Sequence, residues 1–587
     1  MAKPLDDSQL LRLASDLRLR LFPPVRGGAA FAPLIILAGL IPALTAVRGP
    51  ELVDAEAGWG LRALDVVAAS QIQEWLEPGR QGLGKGYLHQ PPLQSWLQAA
   101  VVSAFGIHHL SAWQALSLLL ICLAVWATFL LGRRVGGAAF GMLAALLICG
   151  HPILLKIGVG ISPAPLGLLL IVVTAWGFLG HLEGPPQLVS IRMLAGAVAW
   201  GLALLTIGPV AVALSIPLTV HAWQLRGGRQ DSATATGQRL WHFWMGMRTL
   251  VVFIVTALSF SGWWQLMMLA NYGGEFWQSW WTGQIVAVDP QAVPQSCWRH
   301  WLSQNSLLAG WMVVGLVSVV KELRYPSTEV VRRRCQFVLA WWLTALALRI
   351  VFDIPRLRLS AQSDAWDVML LLPTVLLATW GIKAVVLRQA SLAVESLLMV
   401  GTIGLCAWRV TGSVMAGGIA FLASLTVVAL LPILTPRLRG GGRRWTERDW
   451  RRLFRAGVAS ILVGQVVAGL IEFPPISRES QSLTELRRRV ATLPAVSRVT
   501  LSMPIPESVQ FVLRCQWPKA TFVSLGTSRP GRDFDELPAD ELVIEWTRYQ
   551  SRSVGELPTD RRSVEVGDPI RFRGRRLILS RIGTDLK

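Results

Sequence analysis

Apolar runs near the length needed to cross about 30 Å of hydrocarbon recur along most of this sequence, separated by short polar connections, and the last hundred or so residues break the pattern. The runs fall at residues 31–47, 110–131, 140–153, 164–180, 250–269, 307–320, 337–352, 368–381, 392–408, 414–434 and 459–471. Residues 191–223 are too long for one upright span and are interrupted by Gly208-Pro209, which predicts a hairpin of two short helices. The pattern is that of a polytopic α-helical membrane protein with about 13 transmembrane helices.

Arg residues concentrate in alternate connections, at Arg133-Arg134, Arg192, residues 321–334 and 436–455. By the positive-inside bias these connections are cytoplasmic, as is the N-terminus, and the opposite loops and the tail are external. This explains the net charge of +20 as topology and contact with membrane lipids, without a nucleic-acid partner. The composition, 52% hydrophobic and 16% charged, excludes a soluble domain of this length. The organisation is a cytoplasmic amphipathic segment over 1–28, a transmembrane domain over 29–472 and a C-terminal domain over 473–587. In the tail, Ser482-Leu483-Thr484-Glu485 reads as a capping box opening a helix to about Ala491. Residues 499–503, 521–525 and 542–546 read as strands, and 570–579 as a hairpin turning at Gly574, which together predict a small external α/β domain. The 6 Cys show no metal-type spacing and no metal site is expected; for Cys297 and Cys515 a disulfide and two separate thiols both remain open.

The longest polar excursion is the external loop 48–109, with interfacial helices expected from Asp54 to Ser70 and from Leu93 to Phe105. On the first of these, Asp54 and Asp65 share a face, while Glu56 lies roughly 200° from Asp54, so at most one acid of that close pair can point into a common site. Gly82, Gly84 and Gly86 precede Pro91-Pro92, and Lys85, His89 and Gln90 lie between. Further along, Arg349, Arg356 and Arg358 fall on the external side, against the charge bias. The Trp-rich residues 276–281 read as an aromatic interface belt.

Several of these pieces resemble the integral-membrane GT-C glycosyltransferases, in the aminoarabinose transferase and protein O-mannosyltransferase-like branch. They are Glu56-Ala57-Gly58-Trp59, the Gly-Tyr-Leu-x-x-Pro-Pro-Leu-x-x-Trp run from Gly86 to Trp96, and Phe105-Gly106. The tip Leu205-Thr206-Ile207-Gly208-Pro209 is similar to the family's Leu-Thr-Lys-Gly-Pro, and Gly274 to Trp277 and Leu371-Leu372-Pro373 also have counterparts. The resemblance implies a GT-C-like fold in a bacterial inner membrane, with a polyprenyl-phosphate-linked sugar as donor and an unknown acceptor. It implies an acid/base carboxylate and cations for the leaving phosphate; Glu56 and Asp54 are the candidate acids here, and Lys85, His89, Gln90, Arg349, Arg356 and Arg358 the candidate substrate and phosphate contacts. A catalytically degenerate carrier-binding protein is the alternative it allows. The sequence departs from the family at four charged positions: Ala55 separates the two acids, Pro163 stands where an Asp is expected, and Gln90 and Ile207 replace lysines.

Overall fold

The computed structural model describes residues 55–77, 91–107, 109–149, 151–183, 189–224, 235–281, 297–352 and 363–386 of the helical part. In the tail it describes 478–493, 496–501, 506–518, 520–524, 542–548, 563–565, 570–572 and 575–582. The expected N-terminal amphipathic segment and the spans at 31–47, 392–408, 414–434 and 459–471 lie outside these residues. So do Asp54, Lys85, His89, Gln90, Arg356 and Arg358.

The external-loop region forms α1 (Ala55–Ala68), α2 (Ile72–Leu76) and α3 (Leu93–Phe105). Helix α3 begins immediately after Pro91-Pro92 and ends at Gly106, whose φ of 89° a side chain would disfavour. Next come α4 (Leu110–Gly136) and α5 (Ala138–Cys149). The apolar run at 140–153 predicts one helix, but the chain breaks and restarts as α6 (Pro152–Val159). Pro152 holds His151 in the extended region, at φ −73° and ψ 131°, and His151 becomes the cap of the new helix.

Helices α7 (Ala164–Leu182) and α8 (Ile191–Ile207) pack together, and a 3₁₀ turn, Gly208–Leu214, leads to α9 (Ser215–Gln224). The Trp200 Nε1–H donates to the Ala211 carbonyl at 2.9 Å. Eleven residues of continuous helix would separate those two by about 16 Å, so the chain reverses at Gly208. Consistently, His221 near the end of α9 meets Phe337, while Arg192 at the start of α8 lies beside α7's end at Gly180. The long helix α10 (Ala235–Tyr272) is followed by α11 (Gly274–Trp281), α12 (Cys297–Arg324), α13 (Glu329–Phe352) and α14 (Ser363–Val386). Among the described residues five stretches are long and apolar enough to cross a membrane: 112–136, 164–182, 191–223, 246–272 and 365–384. The protein is a multi-pass helical membrane protein.

Small residues let these helices approach closely. Gly177 of α7 faces Gly196 of α8, where an added Cβ would fall 2.5 Å from the Arg192 carbonyl oxygen. Helix α14 sits at the centre, against α12, α13, α5 and α7. By contrast α10 lines the outside of the bundle, with Val251, Val255 and Leu266 exposed.

Residues 478–582 contain α15 (Arg478–Ala491), β1 (Arg498–Leu501), α16 (Glu507–Gln516), β2 (Thr521–Ser524), β3 (Leu542–Arg548), β4 (Ser563–Glu565), β5 (Ile570–Phe572) and β6 (Arg575–Ile582). The sheet order is β2-β1-β3-β6-β4, with β5 also on β6. Strand β1 runs parallel to β2 and β3, and β6 runs antiparallel to β3, β4 and β5. Parallel neighbours require a crossover, and α16 supplies it between β1 and β2. Leu483, Leu486, Val509, Val512, Leu513, Val499 and Leu577 form the core between helices and sheet. Helix α15 starts a turn before Ser482, so Glu485 does not cap it. Its carboxylate instead accepts from Arg489 Nε at 2.8 Å and Arg488 Nη2 at 3.1 Å, and these guanidiniums hold it below the usual carboxylate range. Cys515 is buried, and the side chain of Cys297 lies outside what the structure describes.

Candidate functional site

One end of the bundle carries Arg133, Arg134, Glu183 and Arg334; the candidate site lies at the other. Along α13, Arg349 is about 22 Å from Arg334 at the helical rise. There α1, α2 and α3 lie across the ends of α4, α8 and α10: α3 contacts α1, α4 and α8, and Leu76 and Leu93 pack on Leu205, Trp264 and Phe276.

Helix α1 carries Glu56 on its backbone and buries Ala57, Trp59, Leu61 and Leu64. Arg62 stacks on the Trp59 ring at 4.3 Å. Asp65, expected to share a face with Asp54, is committed elsewhere: it is buried and ion-paired to Arg514 of α16. The tail is therefore docked on the helix that presents Glu56.

Helix α2 is clamped by donors from its neighbours. Trp264 Nε1 donates to the Leu76 carbonyl at 3.0 Å and Trp96 Nε1 to the Trp75 carbonyl at 2.7 Å. The Tyr272 hydroxyl donates to the buried Glu77 carboxylate. These bonds hold the chain at residues 75–77. Tyr272→Phe is expected to cost about 1–3 kcal/mol by removing that donor from a buried carboxylate, read as a lower unfolding midpoint in detergent.

Immediately after Pro91-Pro92, Gln94, Ser95 and Gln98 occupy one face of α3 and are buried. Among the described residues neither amide group nor the hydroxyl has a hydrogen-bond partner. Such groups are what a ligand rich in hydroxyls would satisfy.

Two further polar pairs sit in the bundle at this end. Arg349 is buried near the end of α13 and its Nη2 lies 3.3 Å from Asp367, which is 3% exposed in the first turns of α14. Arg349 Nε makes no hydrogen bond among the described residues. The expected phosphate contact thus carries its own carboxylate and retains one buried donor. His151 Nδ1 accepts from the Ile153 amide at 3.2 Å, so Nε2 holds the proton and donates to Asn305 Oδ1 at 3.1 Å. Asp367 was readable as a carboxylate within an otherwise apolar span; His151 and Asn305, with 154 residues between them, were not.

The hairpin tip places the departure at Ile207 in view. Ile207 is fully buried, and a Cβ on Gly167 of α7 would fall 2.6 Å from its Cγ2. The position at which the sequence resemblance implies a lysine is an apolar contact. Beside the tip, α10 and α11 bound an apolar groove of about 650 Å³ lined by Leu258, Gly262, Trp263, Leu266, Phe276 and Trp277. Trp277 and Trp280 stack with ring centroids 5.5 Å apart. Among the described residues no cluster of His, Cys, Asp or Glu could hold a metal ion.

No family model matches this sequence, and no curated protein matches it. Solved structures do. The chain is similar to ArnT from Cupriavidus metallidurans bound to undecaprenyl phosphate, with TM-score 0.59 and 15% identity, covering 94% of this chain and 98% of that one. The apo form of that protein gives TM-score 0.56 at 14% identity over the same shares. The archaeal oligosaccharyltransferase AglB from Archaeoglobus fulgidus, in complex with an inhibitory peptide and a dolichol-phosphate, gives TM-score 0.50 at 10% identity, covering 87% of this chain and 69% of that one. Its structural neighbours are thus GT-C glycosyltransferases, and the chain has the GT-C fold.

Proposed function

We propose that the protein transfers a sugar from a polyprenyl-phosphate carrier to an acceptor on the external face of a bacterial inner membrane. The observation that carries this reading is the likeness to ArnT bound to undecaprenyl phosphate over 94% of the chain, tail included. In the proposed reaction an acceptor hydroxyl attacks the anomeric carbon as the bond from that carbon to the phosphate oxygen breaks. Glu56 or Asp54 takes the hydroxyl proton, and the leaving polyprenyl phosphate is held by Lys85, His89, Gln90, Arg349, Arg356 and Arg358. The apolar groove along α10 and α11 suits the carrier's hydrocarbon chain, and the buried Gln94, Ser95 and Gln98 suit sugar hydroxyls. The N-terminus is cytoplasmic in this reading and the domain after residue 473 is external.

A second reading is favoured by one observation: Ile207 replaces a cation and is packed into the core. In that reading the protein binds the carrier, or serves as a scaffold, without transfer. Purified protein in lipid, given radiolabelled polyprenyl-phosphate sugars and a crude envelope acceptor fraction, separates the two. The enzyme reading expects transfer that falls at least about 100-fold in Glu56→Gln or Asp54→Asn while carrier binding persists, with a smaller loss in His89→Ala. Saturable carrier binding with no transfer from any donor would establish the second reading.

A further inference from the structure

The opposite, Arg-rich end of the bundle contains a pocket of about 430 Å³, within the roughly 300–1,000 Å³ span of ligand sites. It lies between the end of α4, the turn from α7 to α8, the first turns of α13 and the end of α14. Five cations line it, Arg133, Arg134, Arg192, Arg334 and Lys383, against one carboxylate, Glu183. Glu183 is already engaged: it accepts from Arg334 Nε at 2.6 Å and Nη2 at 3.1 Å. Arg134 Nη1 stands 3.7 Å from the same carboxylate, is buried, and makes no hydrogen bond among the described residues. Arg133 and Arg192 have no carboxylate partner among the described residues.

Gly180 of α7 makes this crowding possible. A Cβ there would fall 2.8 Å from Arg134 Nη1 and 3.1 Å from Arg192 Cδ, so two arginine side chains converge over the missing side chain. Exposed arginines that repel one another ordinarily splay into water. Here the four arginines are gathered in a concavity whose walls include Trp176 and Trp380, and Glu183 offsets only part of their charge. Guanidiniums converging in this way match the oxygens of a phosphate, which accepts paired N–H donors.

We infer that this pocket binds a phosphate-bearing anion, of the kind presented by an anionic phospholipid headgroup or by free phosphate. It is a separate site from the one proposed for transfer, since it lies at the other end of α13 and α14. Basic pockets between transmembrane helices recognise anionic lipid headgroups by this chemistry.

The test is native mass spectrometry and thermal unfolding of the purified full chain. It is titrated with phosphatidylglycerol, cardiolipin, phosphatidylcholine or inorganic phosphate. The variants are Arg134→Gln/Arg192→Gln together and Arg192→Gln alone, the latter removing a side chain with no ion-pair partner and so leaving the fold intact. Arg332→Gln is the control, since Arg332 pairs with Glu329 outside the pocket. The expected result is that anionic lipid binds at least tenfold more weakly to the double variant, severalfold more weakly to the single one, and unchanged to the control. Millimolar phosphate that leaves lipid bound assigns the site to the headgroup. Phosphate that displaces lipid and raises the unfolding midpoint only in wild type and control assigns it to the free anion. Equal lipid affinity in Arg192→Gln, control and wild type, with no midpoint shift by phosphate, would overturn the inference.

Discussion

Gly315→Val is expected to yield no folded protein. Helices α12 and α14 cross with their backbones in contact: a Cβ on Gly315 would fall 1.8 Å from the Leu377 carbonyl oxygen, and one on Gly381 would fall 2.0 Å from that of Trp311. The obstacles are backbone atoms, so no rotamer change relieves them, and α14 would have to move as a unit. That helix is packed on four sides, with Leu370, Leu372, Val375 and Leu376 all buried, and moving it opens voids against α5, α7 and α13. The cost should exceed about 4 kcal/mol, in the range reached only by overpacking and comparable core damage. Fluorescence-detected size-exclusion chromatography of the tagged chain checks this, with Gly262→Ala as control. Gly262 lies on α10 with nothing within 4 Å of the added Cβ, so that change is expected to be neutral or to stabilise by helix propensity alone, up to about 1 kcal/mol. A wild-type elution profile for Gly315→Val would refute the packing argument.

What the sequence made legible follows from how local each signal is. Pro91-Pro92 and Phe105-Gly106 bracket α3 to the residue, and Gly208-Pro209 marked a reversal that the Trp200–Ala211 hydrogen bond bears out. The hairpin of β5 and β6 was readable because both strands lie within one short stretch. Helix α16 was missed: its run Val509 to Leu513 is too short and too rich in valine and phenylalanine for periodicity to separate helix from strand. The need for it appears only in the parallel pairing of β1 with β2. The break at His151 was missed because the apolar pattern continues through it. In the site, Arg349 was read as a phosphate contact and its ion pair with Asp367 was not foreseen, and the pairing of Glu77 with Tyr272 joins residues 195 apart. Pairs of that kind are made by helix packing, which residue spacing does not encode.

The longest such pairing supports the second large effect. Arg514→Ala should destabilise the chain by about 3 kcal/mol, because it removes the guanidinium from a carboxylate, Asp65, that is 6% exposed. Around the pair the interface is apolar: Phe511 sits against Gly60, where a Cβ would fall 2.5 Å from its ring, and meets Trp113 edge-on at 5.6 Å. This surrounding contact keeps water from replacing the lost cation. The double variant Asp65→Ala/Arg514→Ala removes the buried carboxylate along with Arg514, so it should recover part of the loss while the Phe511 contact remains. Thermal unfolding measures the energies, and amide exchange in α1 and α16 locates them. Because α1 also carries Glu56, any transfer activity should fall in Arg514→Ala and return in the double variant, as expected if the tail braces that helix. Equal stability of the single variant and wild type would show instead that solvent already screens Asp65, and that the Phe511 contact alone holds the tail to the bundle.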